Sequence, residues 1–221
     1  MWTLTLHPET GTVFSYLPGQ FGFLRVKGAV LSEEHPFSIS SEPSNKETLT
    51  ITIKNLGDWT STVQNIRVGD KATLDAPYGR FTPTLYDCKS GIVLIAGGVG
   101  ITPMLSILRY FYQQDRNQKL TLFWGVNDRN DLICKYEFEA FQKEMENFAF
   151  IPVLMKDESF EGEKGFINQE RLERFLEANS CDLQAQQYFL CGPPVMQTSI
   201  LKILKSMGIK KKTIHYESFS L

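Results

Sequence analysis

Four short stretches of this chain hold residue types that could do chemistry. In IAGGVGITPMLSIL, Gly98, Gly100 and Pro103 fall in a G-x-G-x-x-P spacing where an apolar strand gives way to a helix. Glycine permits a tight turn and lets an anionic group come close to the backbone. The helix start offers unpaired N–H groups and a positive dipole end. Thr102 adds a hydroxyl, and Pro103 suits a first helical turn. A strand before and a helix after give the spacing its meaning, as a phosphate cradle formed by Gly98, Val99, Gly100, Ile101, Thr102 and Pro103. The alternative is a tight turn with no ligand. The second stretch, FLCGPPVM, ends a later strand and carries Cys191, Gly192, Pro193 and Met196. Parallel-sheet topology predicts that it reaches the same sheet edge as the glycine turn. Cys191 there either faces a cofactor or is a small buried hydrophobe, the commoner fate of a free cysteine. The third stretch, HPFSISS at residues 35–41, lies between two strand-like runs and reads by itself as an ordinary strand edge. In the fourth, GDWT opens a short helix with Asp58 or Thr60 as capping residue.

Other chemistry is not indicated. His7, His35 and His215 are scattered, and no acid–base triad is visible. Cys88, Cys134, Cys181 and Cys191 form no CxxC pair, so neither a metal site nor a disulfide framework is expected, and a reducing cytosolic setting is the natural reading. The net charge of -2 argues against nucleic acid as a partner. No apolar run approaches the length of a membrane span, and no signal peptide is seen. The basic run Lys210-Lys211-Lys212 reads as a solvated turn, with docking to acidic lipid heads as the weaker option. Residues 2–6, WTLTL, already read as a strand, which suggests a piece cut from a longer chain.

The elements that must position these residues have two rhythms. Residues 1–87 are short strands and turns: WTLTLHP, QFGFLRV, PFSIS, TLTITIKN and KATLDAP, with a short helix near TSTVQNI. Leu49, Ile51 and Ile53 alternate with threonines, the period of a half-buried strand. Such spacing predicts a small antiparallel β-barrel, truncated at its start. Residues 88–221 alternate strand and helix. IVLIAGG, KLTLFWGV, FAFIPVLM and QQYFLCGP are the strands, and TPMLSILRYFYQQ, DLICKYEFEAFQKEME, INQERLERFLEAN and PVMQTSILKILKSMG the helices. This predicts a parallel, helix-covered sheet of the nucleotide-binding kind, closed by TIHYESF. The crevice between two such domains is the expected place for cofactors.

HPFSIS, IKNLGDWT, APYGRF, AGGVGITP, FLCGPP and a terminal ESF, in this order, resemble the ferredoxin–NADP reductase superfamily. They are most similar to the dehydrogenase portion of NADPH oxidases and ferric reductases. The resemblance spans nearly the whole chain. It implies that residues 1–87 bind FAD and residues 88–221 bind NADPH or NADH. Where many relatives have R-x-Y-S, this chain has His35, Pro36, Phe37 and Ser38. The resemblance implies that Phe37 packs on the flavin ring and that Ser38 reaches flavin N5. His35 lacks the charged fork of the arginine that contacts flavin pyrophosphate, which predicts weaker, pH-dependent flavin binding. Ile53, Lys54, Gly57, Asp58, Trp59 and Thr60 belong to the motif implied to hold the flavin diphosphate. Trp59 either shields the adenine side or packs. Phe219 matches the near-terminal aromatic that covers the flavin face. Gly125-Val126-Asn127 stands where relatives have G-x-R, so the arginine that recognises a 2′-phosphate is absent. Arg129 could replace it, or Asp128 could bond a ribose 2′-hydroxyl, and use of both NADH and NADPH is expected. KGF at residues 164–166 matches a structural loop of the family.

The implied reaction is hydride transfer from nicotinamide C4 to flavin N5 across about 3–3.5 Å, with Ser38, Cys191 and Phe219 at the reacting centre. Electrons would pass singly to a haem-bearing transmembrane domain of the same chain, preceding this segment, and on to oxygen as superoxide. The chain would then sit at the cytoplasmic face of the cell membrane, this piece being soluble alone and monomeric. A ferric reductase and a soluble reductase resembling cytochrome b5 reductase are the rival enzymes. A flavin- or nucleotide-sensing module is the non-enzyme rival.

Overall fold

The computed structural model describes residues 1–27, 33–178 and 182–218. They form two compact units. The first comprises residues 1–82 and, from later in the chain, 102–110; the second comprises 83–101 and the residues from 111 onward. Sequence rhythm divided the chain after residue 87; the backbone grouping divides it after Thr82 and returns one helical stretch to the first unit.

In the first unit, β1 (Trp2–Leu6), β2 (Phe21–Val26), β3 (His35–Ser38), β4 (Leu49–Ile53) and β5 (Ala72–Tyr78) follow the expected runs. All pairings are antiparallel, in sheets ordered β1-β4 and β3-β2-β5. A single bridge, Ile39 to Ile51, connects the continuation of β3 to β4. Among the described residues β1 pairs with β4 alone and β5 with β2 alone, and a groove of about 880 Å³ is lined by both strands. Leu49, Ile51 and Ile53 are buried as their alternation requires, in a core with Leu24, Val26, Ile39, Trp59 and Val63. Between β4 and β5 the short helix is one α turn, α1 (Asp58–Ser61), followed by a 3₁₀ turn, Thr62–Asn65.

Two of the small hydroxyl residues after β3 are structural. Ser40 Oγ lies 3.0 Å from Thr52 Oγ1 and 3.1 Å from Thr50 O, tying this segment to β4. Ser41 Oγ lies 2.9 Å from the buried Tyr16 hydroxyl, whose pKa burial pushes up to about 12. The main-chain carbonyls of the pair are taken up from the helix, Arg109 Nη1 donating to Ser40 O and Ser106 Oγ to Ser41 O, both at 2.6 Å. A run of small side chains is what lets a helix approach a strand closely enough for such bonds.

The second unit holds β6 (Ile92–Gly97), α2 (Ile101–Gln114), β7 (Leu120–Val126), α3 (Lys135–Glu144), β8 (Phe148–Leu154), β9 (Glu163–Lys164), α4 (Gln169–Ala178), β10 (Gln187–Cys191), α5 (Pro194–Ser206) and β11 (Ile214–Glu217), α2 giving residues 102–110 to the first unit. The sheet is parallel throughout, ordered β11-β10-β6-β7-β8-β9. All six residues of β6 are buried, as its unbroken apolar run demands. Val93, Ile95, Phe123, Leu172, Tyr188, Leu190, Ile200 and Leu204 share one core cluster. α3 starts later than its sequence suggests. Cys134 precedes it at φ 56, and Arg129–Asp131 forms a separate 3₁₀ turn. No helix among the described residues is long and apolar enough to cross a membrane.

Candidate functional site

In the first unit, the last residue of β3 supplies the candidate hydroxyl. Ser38 is 3% exposed, and its Oγ is buried with no hydrogen-bond partner among the described residues. Leaving such a group unpaired costs about 1–3 kcal/mol, so it marks a place where something polar is expected to bind. Pro36 is exposed, and His35 and Phe37 are half-buried. The rings of His35 and Phe37 flank Trp59, with centroids 4.8 and 5.3 Å from it. Trp59 is 4% exposed, so it packs in the core beneath these two rings and gives Phe37 a fixed seat. His35 Nε2 is shielded, with Glu33 Oε2 at 3.3 Å but outside hydrogen-bonding geometry.

The turn at residues 57–60 is closed on itself. Thr60 Oγ1 accepts from Leu56 N at 2.8 Å and Gly57 N at 2.9 Å, and donates to Gly57 O. The threonine hydroxyl therefore serves as a cap of its own turn. Asp58 is exposed, Lys54 is half-buried, and the Ile53 side chain belongs to the core.

In the second unit, the glycines of the 98–100 turn have different tasks. A Cβ on Gly100 would stand 2.2 Å from Cys191 O, so Gly100 is required for contact between the two turns. Gly97 meets Met196 Sδ in the same way, at 2.3 Å, and Gly192 would press on the Gly97 backbone at 3.0 Å. Gly98 differs. Its φ is +52, and a Cβ there would meet nothing within 4 Å. Its backbone therefore faces open space at the edge of the sheet, which is what a phosphate cradle needs. Trp124 fixes the turn by donating from Nε1 to Gly98 O at 3.0 Å. Val99 is half-buried; Ile101 and Thr102 are buried, and Pro103 lies in the first turn of α2.

Cys191 ends β10 fully buried, and burial, with the charge of Glu217, pushes its thiol well above the ordinary range. It is a small neutral side chain. Its neighbour in register on β11 is Glu217, whose Oε2 is buried without a hydrogen-bond partner among the described residues. Desolvation raises this carboxyl to about 7. Gln197, buried in α5, donates from Nε2 to Gly192 O and to Glu217 O, both at 2.8 Å, and accepts from Ser218 Oγ. It thereby fixes the Cys191–Pro193 turn against the strand that carries the acid. Pro193 is exposed and Met196 half-buried. Sequence reasoning missed Glu217, Gln197 and Trp124. The ESF motif held Glu217 in view, but only the burial of its carboxyl singles it out. Phe219 lies outside the described residues.

Asp128 and Arg129 follow β7. Asp128 Oδ1 accepts from Asn130 N at 2.8 Å. Arg129 is already paired on one edge: its Nε and Nη2 donate to Asp157, while the side chain stays 55% exposed. Among the described residues no group of His, Cys, Asp and Glu could hold a metal ion.

One half thus offers a buried hydroxyl, unpaired among the described residues, near a seated aromatic ring, and the other an open glycine turn with a protonatable acid two strands away on the same sheet. Such halves define a two-domain flavin and nicotinamide oxidoreductase. A family model described as FAD-binding domain matches residues 3–102, and one described as oxidoreductase NAD-binding domain matches residues 94–202. The chain belongs to the ferredoxin–NADP reductase superfamily and is an oxidoreductase flavoprotein with FAD- and NAD(P)H-binding domains.

It is similar to a subunit of the Na(+)-translocating NADH-quinone reductase of Pseudoalteromonas atlantica, at 26% identity over 90% of this chain and 52% of that protein. The glycine betaine monooxygenase reductase subunit of Chromohalobacter salexigens is 29% identical over 98% of this chain and 60% of its own length. The chain spans about half the length of the NADH-quinone reductase subunits it matches. Among solved structures, the FAD/NAD-binding domain of nitric oxide dioxygenase from Vibrio cholerae superposes with a TM-score of 0.85 at 25% identity, covering 98% of this chain and 91% of that one. The residues fit the cofactors these domains take. Ser38 Oγ and Glu217 Oε2 are unpaired buried polar atoms, and Gly98 leaves room where a side chain would stand.

Proposed function

We propose that this chain is the dehydrogenase part of an NADPH oxidase or ferric reductase-like protein, with FAD held by residues 1–87 and NAD(P)H by residues 88–221. It passes electrons to a haem-bearing membrane domain of the same polypeptide at the cytoplasmic face of the membrane, with superoxide as the product from oxygen. The observation that carries the flavin reading is the buried Ser38 hydroxyl, which has no partner among the described residues. His35 and Phe37 in place of arginine and tyrosine favour the oxidase and ferric-reductase branch.

FAD, when bound, accepts a hydride and releases electrons one at a time. The chain's own residues prepare that exchange. Ser38 Oγ can donate or accept at the flavin's reacting nitrogen. Phe37, seated on Trp59, offers a flat apolar surface. The open backbone at Gly98 receives the dinucleotide phosphates. Glu217 keeps a proton on its carboxyl up to near neutral pH.

A second reading has its own support. The relatives are named as parts of an NADH-quinone reductase and of a monooxygenase system, and the chain spans about half of the former. The acceptor would then be another redox protein, as for a ferric reductase or a cytochrome b5 reductase-like enzyme.

The test is anaerobic addition of NADH or NADPH to protein loaded with FAD, followed in the flavin absorbance band. Bleaching is expected, with reoxidation by ferricyanide or ferric chelates faster than by oxygen. Ser38→Ala is expected to slow bleaching by roughly 10²-fold while FAD stays bound. A bound flavin that never bleaches supports the sensing module instead.

A further inference from the structure

The pairing of Arg129 has a consequence for which dinucleotide is taken. Gly97 of β6 and Gly125 of β7 lie opposite one another in register, so the glycine turn and the 126–129 turn leave adjacent strands at one level. A dinucleotide with its phosphates on Gly98 has its adenosine ribose over the neighbouring strand end, where acidic or basic residues read the 2′ position. Arg129 stands there, but its guanidinium is forked on a carboxylate. Nε donates to Asp157 Oδ2 at 2.5 Å and Nη2 to Asp157 Oδ1 at 3.1 Å. Nη2 also donates to Ser159 Oγ at 2.8 Å, while Ser159 Oγ donates to Asp157 Oδ1 at 2.7 Å.

The arrangement is built into the backbone. The β7–β8 pairing continues past the strand ends, Met155 N donating to Val126 O at 3.0 Å and Lys156 N to Asn127 O at 2.8 Å. That zipper delivers the 157 loop alongside the 128 loop. The Asp157 side chain is only 11% exposed, against 55% for Arg129. Its carboxyl is held down at about 2, first by the Arg129 hydrogen bond and then by Ser159. Asp128, on the facing turn, accepts from Asn130 N through Oδ1 and is not paired with this guanidinium among the described residues.

We propose that Asp157 is a specificity-determining residue: by taking the Nε–Nη2 edge of the Arg129 guanidinium it competes with a 2′-phosphate for that cation and leaves the ribose hydroxyls to Asp128, so that the chain takes NADH in preference to NADPH. The inference rests on the reading of the glycine turn as the dinucleotide site. A 2′-phosphate can take the bidentate Nε–Nη2 edge of Arg129 only by displacing Asp157, and at the remaining Nη1 it meets the field of that carboxylate. NADH meets neither obstacle.

The test is calorimetric titration of the FAD-loaded protein with NAD⁺ and NADP⁺, which bind without turnover. Tighter binding of NAD⁺ is expected. Asp157→Asn is expected to strengthen NADP⁺ binding several-fold, about 5-fold for an ion pair of this kind, with NAD⁺ as the unmoved reference. Adding Arg129→Ala to Asp157→Asn cancels the gain, and adding Lys156→Ala leaves it in place. Equal shifts for both dinucleotides, no shift, a gain that survives loss of Arg129, or a wild type that binds NADP⁺ at least as tightly overturns the proposal. If neither dinucleotide binds the wild type, the dinucleotide site falls and this inference with it; if both bind but their ratio ignores Asp157, only the inference falls.

Discussion

Glu217 ties a single carboxyl to the behaviour of the whole fold. Desolvation raises its pKa from 4.5 to about 7 in the folded chain. Between those values the unfolded chain has released a proton that the folded chain keeps. Its contribution is therefore fully present below pH 4.5, falls as pH rises, and levels off above about 7. Discounted for partial solvent contact, the loss is on the order of 2 kcal/mol. Glu217→Gln should remove that slope, so melting temperatures of the flavin-free protein measured from pH 4.5 to 7.5 should fall less steeply than those of the wild type. Equal slopes would mean that the acid ionises freely. The residue scale is also where sequence was least informative. Ser38, Ser40 and Ser41 are alike in HPFSISS, yet two are consumed by Thr50, Thr52 and Tyr16 and only Ser38 keeps an unpaired Oγ. Three-dimensional partners decide that, and no spacing announces them. Thr60 teaches the same lesson, its hydroxyl being used by its own turn.

Elements were far more legible than contacts. Alternation in TLTITIK located β4, the unbroken IVLIAG run located β6, and helical spacing located α2, because burial on one face or two writes its period directly into the sequence. The start of α3 was not legible, since Cys134 in a left-handed conformation stops the helix without glycine or proline to signal it. The G-x-G-x-x-P turn was found by spacing, but the division of labour inside it was not. Gly98→Ala should fold with a loss of about 1–2 kcal/mol from its left-handed backbone, yet lose dinucleotide binding because the methyl group enters the open side. Gly100→Ala meets the main chain of Cys191 at 2.2 Å and should cost stability first, roughly 1–3 kcal/mol. Denaturant unfolding beside nucleotide titration separates the two outcomes. Equal behaviour of both variants would contradict the assignment.

At the scale of the whole molecule, the chain crosses between its two units at residues 82/83, 101/102 and 110/111. The expected boundary after residue 87 follows the change in rhythm along the chain, and rhythm cannot show a helix that returns to an earlier unit. Ser106 and Arg109 satisfy the carbonyls of Ser41 and Ser40 from that returning stretch. Arg109→Ala should therefore destabilise the first unit by about 1–3 kcal/mol, the cost of a buried carbonyl left unpaired. The check is FAD-induced stabilisation in thermal melts. A variant that binds FAD and melts like the wild type would show the bond to be dispensable.

The same interlacing governs how such proteins can be recombined. A chimera spliced once near residue 82 would join one relative's strands to another's helical stretch 102–110, leaving the Ser40 and Ser41 carbonyls to partners that never evolved beside them. Exchanging the first unit intact takes three junctions rather than one, so that nine helical residues travel with strands encoded some sixty positions earlier.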